Sequence, residues 1–288
     1  MRRPFMPANR QRGQAIVEYL ILFPTMILLI LGAIQFALLY QVKSTLDYAA
    51  FIGARQGALE NASMLSIKDG VASGLTPLFT YTKDSASSPE KLLALGRGRA
   101  IAWVEVFNPL VTKVQIVNPT KAAFDGYKAQ SESGDEIPND NLMYRSTSAD
   151  YDGMSIQDAN LLKIRITYCA KLIVPFANQT IYALYRGISG LQNLAAEYFS
   201  GAIASAGADT ECQDPATYAQ GKIDDAVAQI NTYLTKAGLP NISGINVSAY
   251  IPSFTIPVLN WNIGGIRIPL TAEAVVRMQS PVHGDDLN

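Results

Sequence analysis

Histidine is nearly missing from this 288-residue chain, and its scarcity limits the chemistry that the protein can perform. The one histidine, His283, lies in the C-terminal tail, which leaves no Ser-His-Asp or Cys-His arrangement and no multi-histidine metal site. A phosphate-binding GxxxxGK[ST] loop is missing too, and the glycines of the GRG motif at 96–98 fall within a predicted helix. Carboxylate pairs remain chemically available, but no motif supports their use. We therefore predict that the chain is not an enzyme and has no cofactor.

A strong charge of either sign is also lacking, since the formal net charge is −1. No basic stripe interleaved with aromatic residues follows the N-terminus, so we predict no nucleic-acid partner. The charge is nevertheless uneven, because residues 1–13 contain no acid and four arginines, namely Arg2, Arg3, Arg10 and Arg12.

What the chain has is one long apolar segment, residues 19–42, without a formal charge. At about 1.5 Å per residue, a helix of this length crosses a hydrocarbon core of about 30 Å. The arginines precede it, and the opposite flank at 43–47 is nearly balanced, so the positive-inside rule predicts a cytoplasmic N-terminus. A cleaved signal peptide is the alternative, but its apolar core is about 7–15 residues long and ends at a small-x-small site.

A carboxylate stands at the cytoplasmic edge of this segment. Glu18 is followed directly by Tyr19. Placing its charged carboxylate at the membrane edge costs free energy unless it reaches water, is paired or is neutralised. The stretch from Gly13 to Tyr19 reads GQAIVEY, and it resembles the type IV prepilin pattern, more narrowly the G-x-x-x-x-E-Y of the tight-adherence (Tad or Flp) class. The resemblance implies that a prepilin peptidase cuts after Gly13, making Gln14 the new N-terminus and Glu18 its fifth residue. It also implies that Glu18 and Tyr19 are assembly residues, with the glutamate meeting the N-terminal amine of a neighbouring subunit.

The resemblance extends beyond this motif. Residues 12–58 resemble TadE-like minor pilins, in which an apolar helix continues into one rich in alanine and glycine, and residues 266–281 weakly resemble the terminal strand of that family. It implies as partners a prepilin peptidase, a major Flp-type pilin, other minor pilins, an inner-membrane pilus assembly platform and membrane lipid. The implied location is the bacterial inner membrane, with a single pass, a periplasmic C-terminal domain and incorporation in the extracellular pilus.

Small residues recur on adjacent turns just after the apolar segment, which allows close helix approach. We expect one continuous helix to about Asn61. Its upper half packs on the exported domain or on neighbouring subunits, and ordinary core packing within one chain is an equal alternative. The small residues are Ala49, Ala50, Gly53, Ala54, Gly57 and Ala58.

The patterns of the exported part predict an α+β domain with an antiparallel sheet and packed helices. Ser87-x-x-Glu90 starts a helix that ends near Phe107. Strands are predicted at 113–117 and 161–174, the second with alternating faces, and further strands at 245–280. Helices are predicted at 190–206 and from Asp214 to Gly238.

Residues 120–160 are polar and poor in aliphatic side chains, and we predict an exposed loop or insertion there. Asp150, Asp152 and Gly153 faintly resemble a calcium loop, but the further acid that such a loop requires is missing. The predicted organisation is therefore a basic leader at 1–13, a transmembrane and extended helix at 14–60, and an exported α+β domain at 61–288 with a polar loop around 120–160.

Only two cysteines occur, Cys169 and Cys212, both on the exported side, where oxidation is permitted. We predict one disulfide between them. Two buried free thiols are the alternative, and bonding between subunits is also compatible with the sequence.

These features predict a structural or assembly protein, a minor pilin or pseudopilin that is processed by prepilin peptidase and takes part in type IV (Tad/Flp) pilus biogenesis and surface adhesion. The alternative is a membrane-anchored periplasmic binding module or enzyme that uses the helix only as an anchor. Gly13 and Glu18 discriminate between the two.

Overall fold

One very long N-terminal helix and a group of shorter elements packed along its distal half make up the described part of the chain. The structure is a computed structural model. It describes residues 14–82, 87–109, 111–131, 134–182, 184–185 and 266–284, together with 212, 231, 235, 255–256, 261–262 and 286–287. The helices are α1 (Gln14–Leu59), α2 (Met64–Phe79), α3 (Ser88–Phe107), α4 (Lys121–Tyr127) and α5 (Ile156–Ala159), with a 3₁₀ turn at Leu142–Tyr144.

The strands form three antiparallel groups. The main sheet has the order β1-β4-β7, a smaller one the order β2-β3-β8, and β5 pairs with β6. The α+β fold class predicted from the sequence is confirmed. The strands are β1 (Thr112–Asn118), β2 (Ala129–Ser131), β3 (Gly134–Ile137), β4 (Leu161–Lys171), β5 (Thr255–Ile256), β6 (Trp261–Asn262), β7 (Arg267–Arg277) and β8 (Val282–His283).

Helix α1 is unbroken for 46 residues and includes Pro24. Among the described helices, it alone is long and apolar enough to cross a membrane. It ends where Asn61 and Ala62 adopt positive φ, which the right-handed helix cannot continue. The C-terminal segment closes this end, because the amides of Gln279 and Ser280 both donate to the Ala58 carbonyl. The predicted continuous helix is confirmed, and it ends within two residues of the expected position.

The distal half of α1 packs against α2, which runs back along it. Gly53 of α1 faces Val71 of α2, and a Cβ placed on Gly74 of α2 would lie 2.5 Å from the Cα of Ala49. Ala49, Ala50, Ala54 and Ala58 are all completely buried. In the described residues, the small side chains of α1 therefore serve close packing within one chain, the second of the two alternatives considered from the sequence.

The main sheet presents one buried and one solvated face over the first half of β4. Ile164 and Ile166 are fully buried, whereas Lys163 and Arg165 both pair with Glu273 of β7, at 2.8 and 2.6 Å. The predicted alternation is confirmed up to Arg165. From Thr167 to Ala170 both faces are buried, and the alternation of exposure is lost.

Helix α3 begins and ends as its sequence predicts. The backbone N–H of Ser87 donates to the Glu90 carboxylate at 2.8 Å, and Pro89 lies in the first turn. The Ser87 backbone holds the pKa of the Glu90 carboxyl below its ordinary value. The helix ends at Phe107, directly before Asn108-Pro109.

The prediction of an exposed loop around 120–160 is wrong for much of its length. The stretch contains α4, the hairpin of β2 and β3, a 3₁₀ turn and α5. Local caps and long-range bonds stabilise these short elements. Thr120 caps α4 through Ala123 N–H, and Tyr127 donates to the Met154 carbonyl at 2.7 Å.

Three further predictions fall wholly or partly outside the residues that the structure describes. The predicted helices at 190–206 and 214–238 lie outside the described residues, apart from positions 231 and 235, which are helical. Of the strand region 245–280, β5, β6 and β7 are described.

Candidate functional site

The first residues of α1 form the candidate site that the sequence points to. Gly13 lies outside the described residues, and Gln14 is the first described residue and is helical. Glu18 is exposed, and Tyr19 is 65% exposed with its ring stacked on Phe23 at a centroid distance of 5.3 Å. A carboxylate on an apolar, uncovered helix is accessible to a partner outside this chain.

The proximal half of α1 has no cover from the rest of the described chain. Every residue from Glu18 to Ile30 is exposed, including large apolar side chains that water does not favour. Only at Leu31 does partial burial begin, and Gln35 and Leu39 are the first buried residues. The structure therefore divides α1 into a bare apolar half and a distal half that carries the domain, and this division suggests membrane anchoring.

Gln35 marks the junction between the two halves. Its side chain is 1% exposed, and its Oε1 accepts hydrogen bonds from the backbone N–H groups of Ile173 and Val174, at 3.0 and 2.8 Å. Its Nε2 is buried without a hydrogen-bond partner among the residues that the structure describes. One glutamine in the apolar helix thus holds the chain that follows β4.

A buried ion pair connects α3 to the main sheet. Glu105 of α3 and Arg267 of β7 form a bidentate pair with both distances at 2.9 Å, and their side chains are 0% and 9% exposed. Arg267 also donates to the Cys169 carbonyl at 2.8 Å, and the Tyr168 hydroxyl donates to Glu105 at 3.3 Å. Because each charge has several partners, the pair offsets part of its desolvation cost.

The same cluster shifts the pKa values of its members. Burial is the largest single influence and lowers the pKa of the Arg267 guanidinium, but Glu105 and Tyr168 together outweigh it, and the net shift is upward. Burial, together with Glu105, raises the pKa of the Tyr168 hydroxyl. The cluster therefore keeps a cationic arginine and a neutral tyrosine, which suits a structural support.

Cys169 and Cys212 are joined in a disulfide, with a Cα–Cα distance of 5.6 Å. Cys169 is the central-strand residue whose carbonyl accepts from Arg267, so the crosslink lies beside the ion-pair cluster. Glu18 is at the opposite end of α1 from the sheet, and the structure does not bring the predicted assembly residues and the cysteines together.

The acidic residues of the faint calcium-like motif have other partners. Asp152 accepts from the Thr120 hydroxyl at 2.6 Å, and Asp150 accepts from the Ser148 hydroxyl at 2.7 Å. Over the described ranges, no group of three or more histidine, cysteine or carboxylate side chains is arranged to hold a metal ion.

Gln35 and the Glu105–Arg267 pair were not identified from the sequence. Gln35 carried a usable signal, because a polar amide inside an otherwise apolar span usually has a specific partner. The ion pair carried none, since its two members are 162 residues apart and lie on unremarkable stretches of a helix and a strand.

Comparison with known protein families agrees with this geometry. Residues 13–55 match the model of the TadE-like protein family. The match begins at Gly13 and ends within the α2-packed half of α1, and it confirms the resemblance over this helix. The match suggests involvement in a Tad pilus system, because the TadE-like family is a family of pilus components. Neither the curated proteins nor the solved structures give a match.

Proposed function

We propose that this chain, with its TadE-like N-terminal helix, is a minor pilin or pseudopilin in the biogenesis of a Tad (Flp) pilus and in surface adhesion. The observation that carries the proposal is the family match, which begins at Gly13 and covers the G-x-x-x-x-E-Y motif together with most of α1. Gln14 is the residue that would follow a prepilin peptidase cut. Residues 1–13 would then be a leader, and α1 would be the assembly helix.

The bare half of α1 supports the membrane part of the proposal. Its exposed apolar side chains fit lipid before assembly and other pilin helices afterwards, without any change within the chain. Arginines before the helix favour a cytoplasmic N-terminus and a periplasmic domain in the inner membrane. The periplasm also permits the Cys169–Cys212 disulfide.

Glu18 has a defined role in this proposal. A cut after Gly13 creates an α-amino group at Gln14, one helical turn before the Glu18 carboxylate. In a polymer, the carboxylate of one subunit pairs with the amine of a neighbour, and each offsets the desolvation of the other. The proposed partners are a prepilin peptidase, a major Flp-type pilin, other minor pilins and the inner-membrane assembly platform, with Tyr19 beside Glu18 at the lipid interface.

Mass spectrometry of the mature N-terminus tests the processing step. The expected mature chain starts at Gln14, and Gly13→Val is expected to leave the leader attached. Gly32→Ala is the matched control, since no atom lies within 4 Å of the added Cβ, and it is expected to be cut normally. A mature chain that starts at Met1, or one cut after about residue 30, as a conventional signal peptide would be, contradicts the proposal.

Replacement of Glu18 tests the assembly step. Glu18→Ala is expected to leave membrane insertion intact and to reduce surface pili. Asp47→Ala is the matched control, because Asp47 is an acid on the same helix whose partner, Lys43, lies within α1. Normal piliation in the Glu18 variant would favour the other function, a periplasmic module that uses α1 as an anchor.

A further inference from the structure

The chain turns sharply after β4, at the level where the domain meets the apolar half of α1. Residues 172–176 read LIVPF, and two of them are buried while three are exposed. Leu172 and Val174 are buried, whereas Ile173 and Phe176 are 68% and 72% exposed. Phe176 has φ of +63°, a left-handed conformation that is unfavourable for a bulky side chain. The turn therefore directs two large apolar side chains away from the domain.

The depth of this turn follows from its contact with Gln35. Gln35 is 17 residues beyond Glu18, or roughly 26 Å along the helix at 1.5 Å per residue. A hydrocarbon core of about 30 Å that begins at Tyr19 extends past this position. The backbone N–H groups of Ile173 and Val174 lie within 3.0 Å of the Gln35 Oε1, so the turn lies at the depth of the lipid.

Irregular backbone at this depth requires hydrogen-bond partners, because lipid supplies none. The turn has them: Gln35 accepts from two of its amides, and the Leu172 amide donates to the Ile266 carbonyl at 2.9 Å. The next residues are helical, and Asn178 N–H donates to the Val174 carbonyl at 3.0 Å. The amides of Leu172, Ile173 and Val174 are thus bonded internally, while the exposed residues of the turn, at 173, 175 and 176, are apolar.

We propose that the turn at 172–176 is a second membrane contact, in which Ile173 and Phe176 insert among the outer-leaflet lipids beside α1. We identify lipid as the partner of these two side chains, because the turn lies beside the apolar surface of α1 at Gln35. The bilayer that surrounds α1 below Gln35 therefore reaches both of them. Because the domain is packed on the distal half of α1, this contact fixes the orientation of the domain relative to the bilayer surface. This inference rests on the membrane anchorage in the proposed function.

Tryptophan fluorescence in nanodiscs tests the contact with the full-length chain. The lipids are phosphatidylethanolamine and phosphatidylglycerol with brominated acyl chains, which quench a nearby indole. Phe176→Trp probes the turn, and Phe23→Trp probes the exposed apolar half of α1. Tyr144→Trp is the control, because Tyr144 is 85% exposed and lies near the start of β4, at the end of the domain away from the turn. Each signal is the fluorescence added to that of the unsubstituted chain.

We expect bromolipid to quench the tryptophans at 23 and 176 and to leave that at 144 bright. Quenching at 176 should be stronger with bromine near the headgroup end of the chain than with bromine at its far end. If the tryptophan at position 23 is quenched but the one at 176 is as bright as the one at 144, α1 is anchored in the membrane and the proposed membrane contact of the turn is wrong. If 23 is also bright, the anchorage itself fails, and the inference fails with it.

Discussion

The buried pair of Glu105 and Arg267 allows a quantitative test of how the domain is held together. Arg267→Met removes the cation and leaves the Glu105 carboxylate in an environment where its side chain has no exposure. Breaking a buried pair in this way costs about 3–5 kcal/mol of unfolding free energy. Methionine is shorter than arginine, but it keeps an unbranched apolar side chain, so most of the loss comes from the removed charge and its hydrogen bonds.

A second arginine of the same sheet supplies the matched control. Arg165 pairs with Glu273 at 2.6 Å, but its side chain is 46% exposed, and pairs of this kind contribute about 0–1 kcal/mol. Arg165→Met is therefore the same substitution at a paired arginine, with burial as the main difference. At about 2–4 °C per kcal/mol, Arg267→Met should lower the Tm by roughly 6–20 °C, and Arg165→Met by at most a few degrees.

Urea unfolding of the full-length protein in detergent micelles measures both losses. The fluorescence of Trp103 reports on the region, because its ring stacks on Phe107 in α3, the helix that carries Glu105. Replacing Glu105 by Leu together with Arg267→Met should restore part of the loss, since no buried charge is then left alone. Equal losses at Arg267 and Arg165, or a double variant that is less stable than the single one, would refute the reasoning.

Three further predictions concern packing, the crosslink and pH. Gly74→Ala should cost about 1–3 kcal/mol in urea unfolding, because its Cβ meets the α1 backbone, whereas Gly96→Ala, with open space around it, should stabilise α3 by about 0.5–1 kcal/mol. Replacing Cys169 and Cys212 by alanine should lower stability by up to about 4 kcal/mol for the 43-residue loop, and an unchanged urea midpoint would contradict a structural crosslink. Hydrogen bonds from Lys163 and Arg165 lower the pKa of the Glu273 carboxyl in the folded protein. The carboxylate therefore makes a small contribution to the free energy of unfolding above its unfolded-state pKa. This contribution is lost as the pH falls through the lower pKa of the folded state. A carboxyl-carbon NMR titration should show this lowered pKa, and removal of the cations should raise it.

Where sequence-based prediction succeeded, the signal was local. The α3 boundaries follow from Ser87, Glu90 and the Asn108-Pro109 step, all within one turn of the ends that they define. The alternation in β4 is likewise a property of consecutive residues. Prediction failed at 120–160, where the elements are short and poor in aliphatic side chains. Contacts such as the hydrogen bond from the Asn160 side-chain amide to the Pro138 carbonyl stabilise them. No local sequence pattern predicts such bonds.

The long apolar helix with its carboxylate at Glu18 is determined by the sequence alone, because span length, flanking charge and the prepilin-like motif are all read along consecutive residues. Only the tertiary structure determined which residues that helix and the rest of the domain contact. The contact of Gln35 with the turn after β4 and the ion pair of Glu105 with Arg267 join residues 138 and 162 positions apart. Such partners are chosen by the packing of whole elements, in which each buried polar group must find a complementary group at its own depth. A sequence shows that a buried polar residue needs a partner, and the fold determines which partner it has.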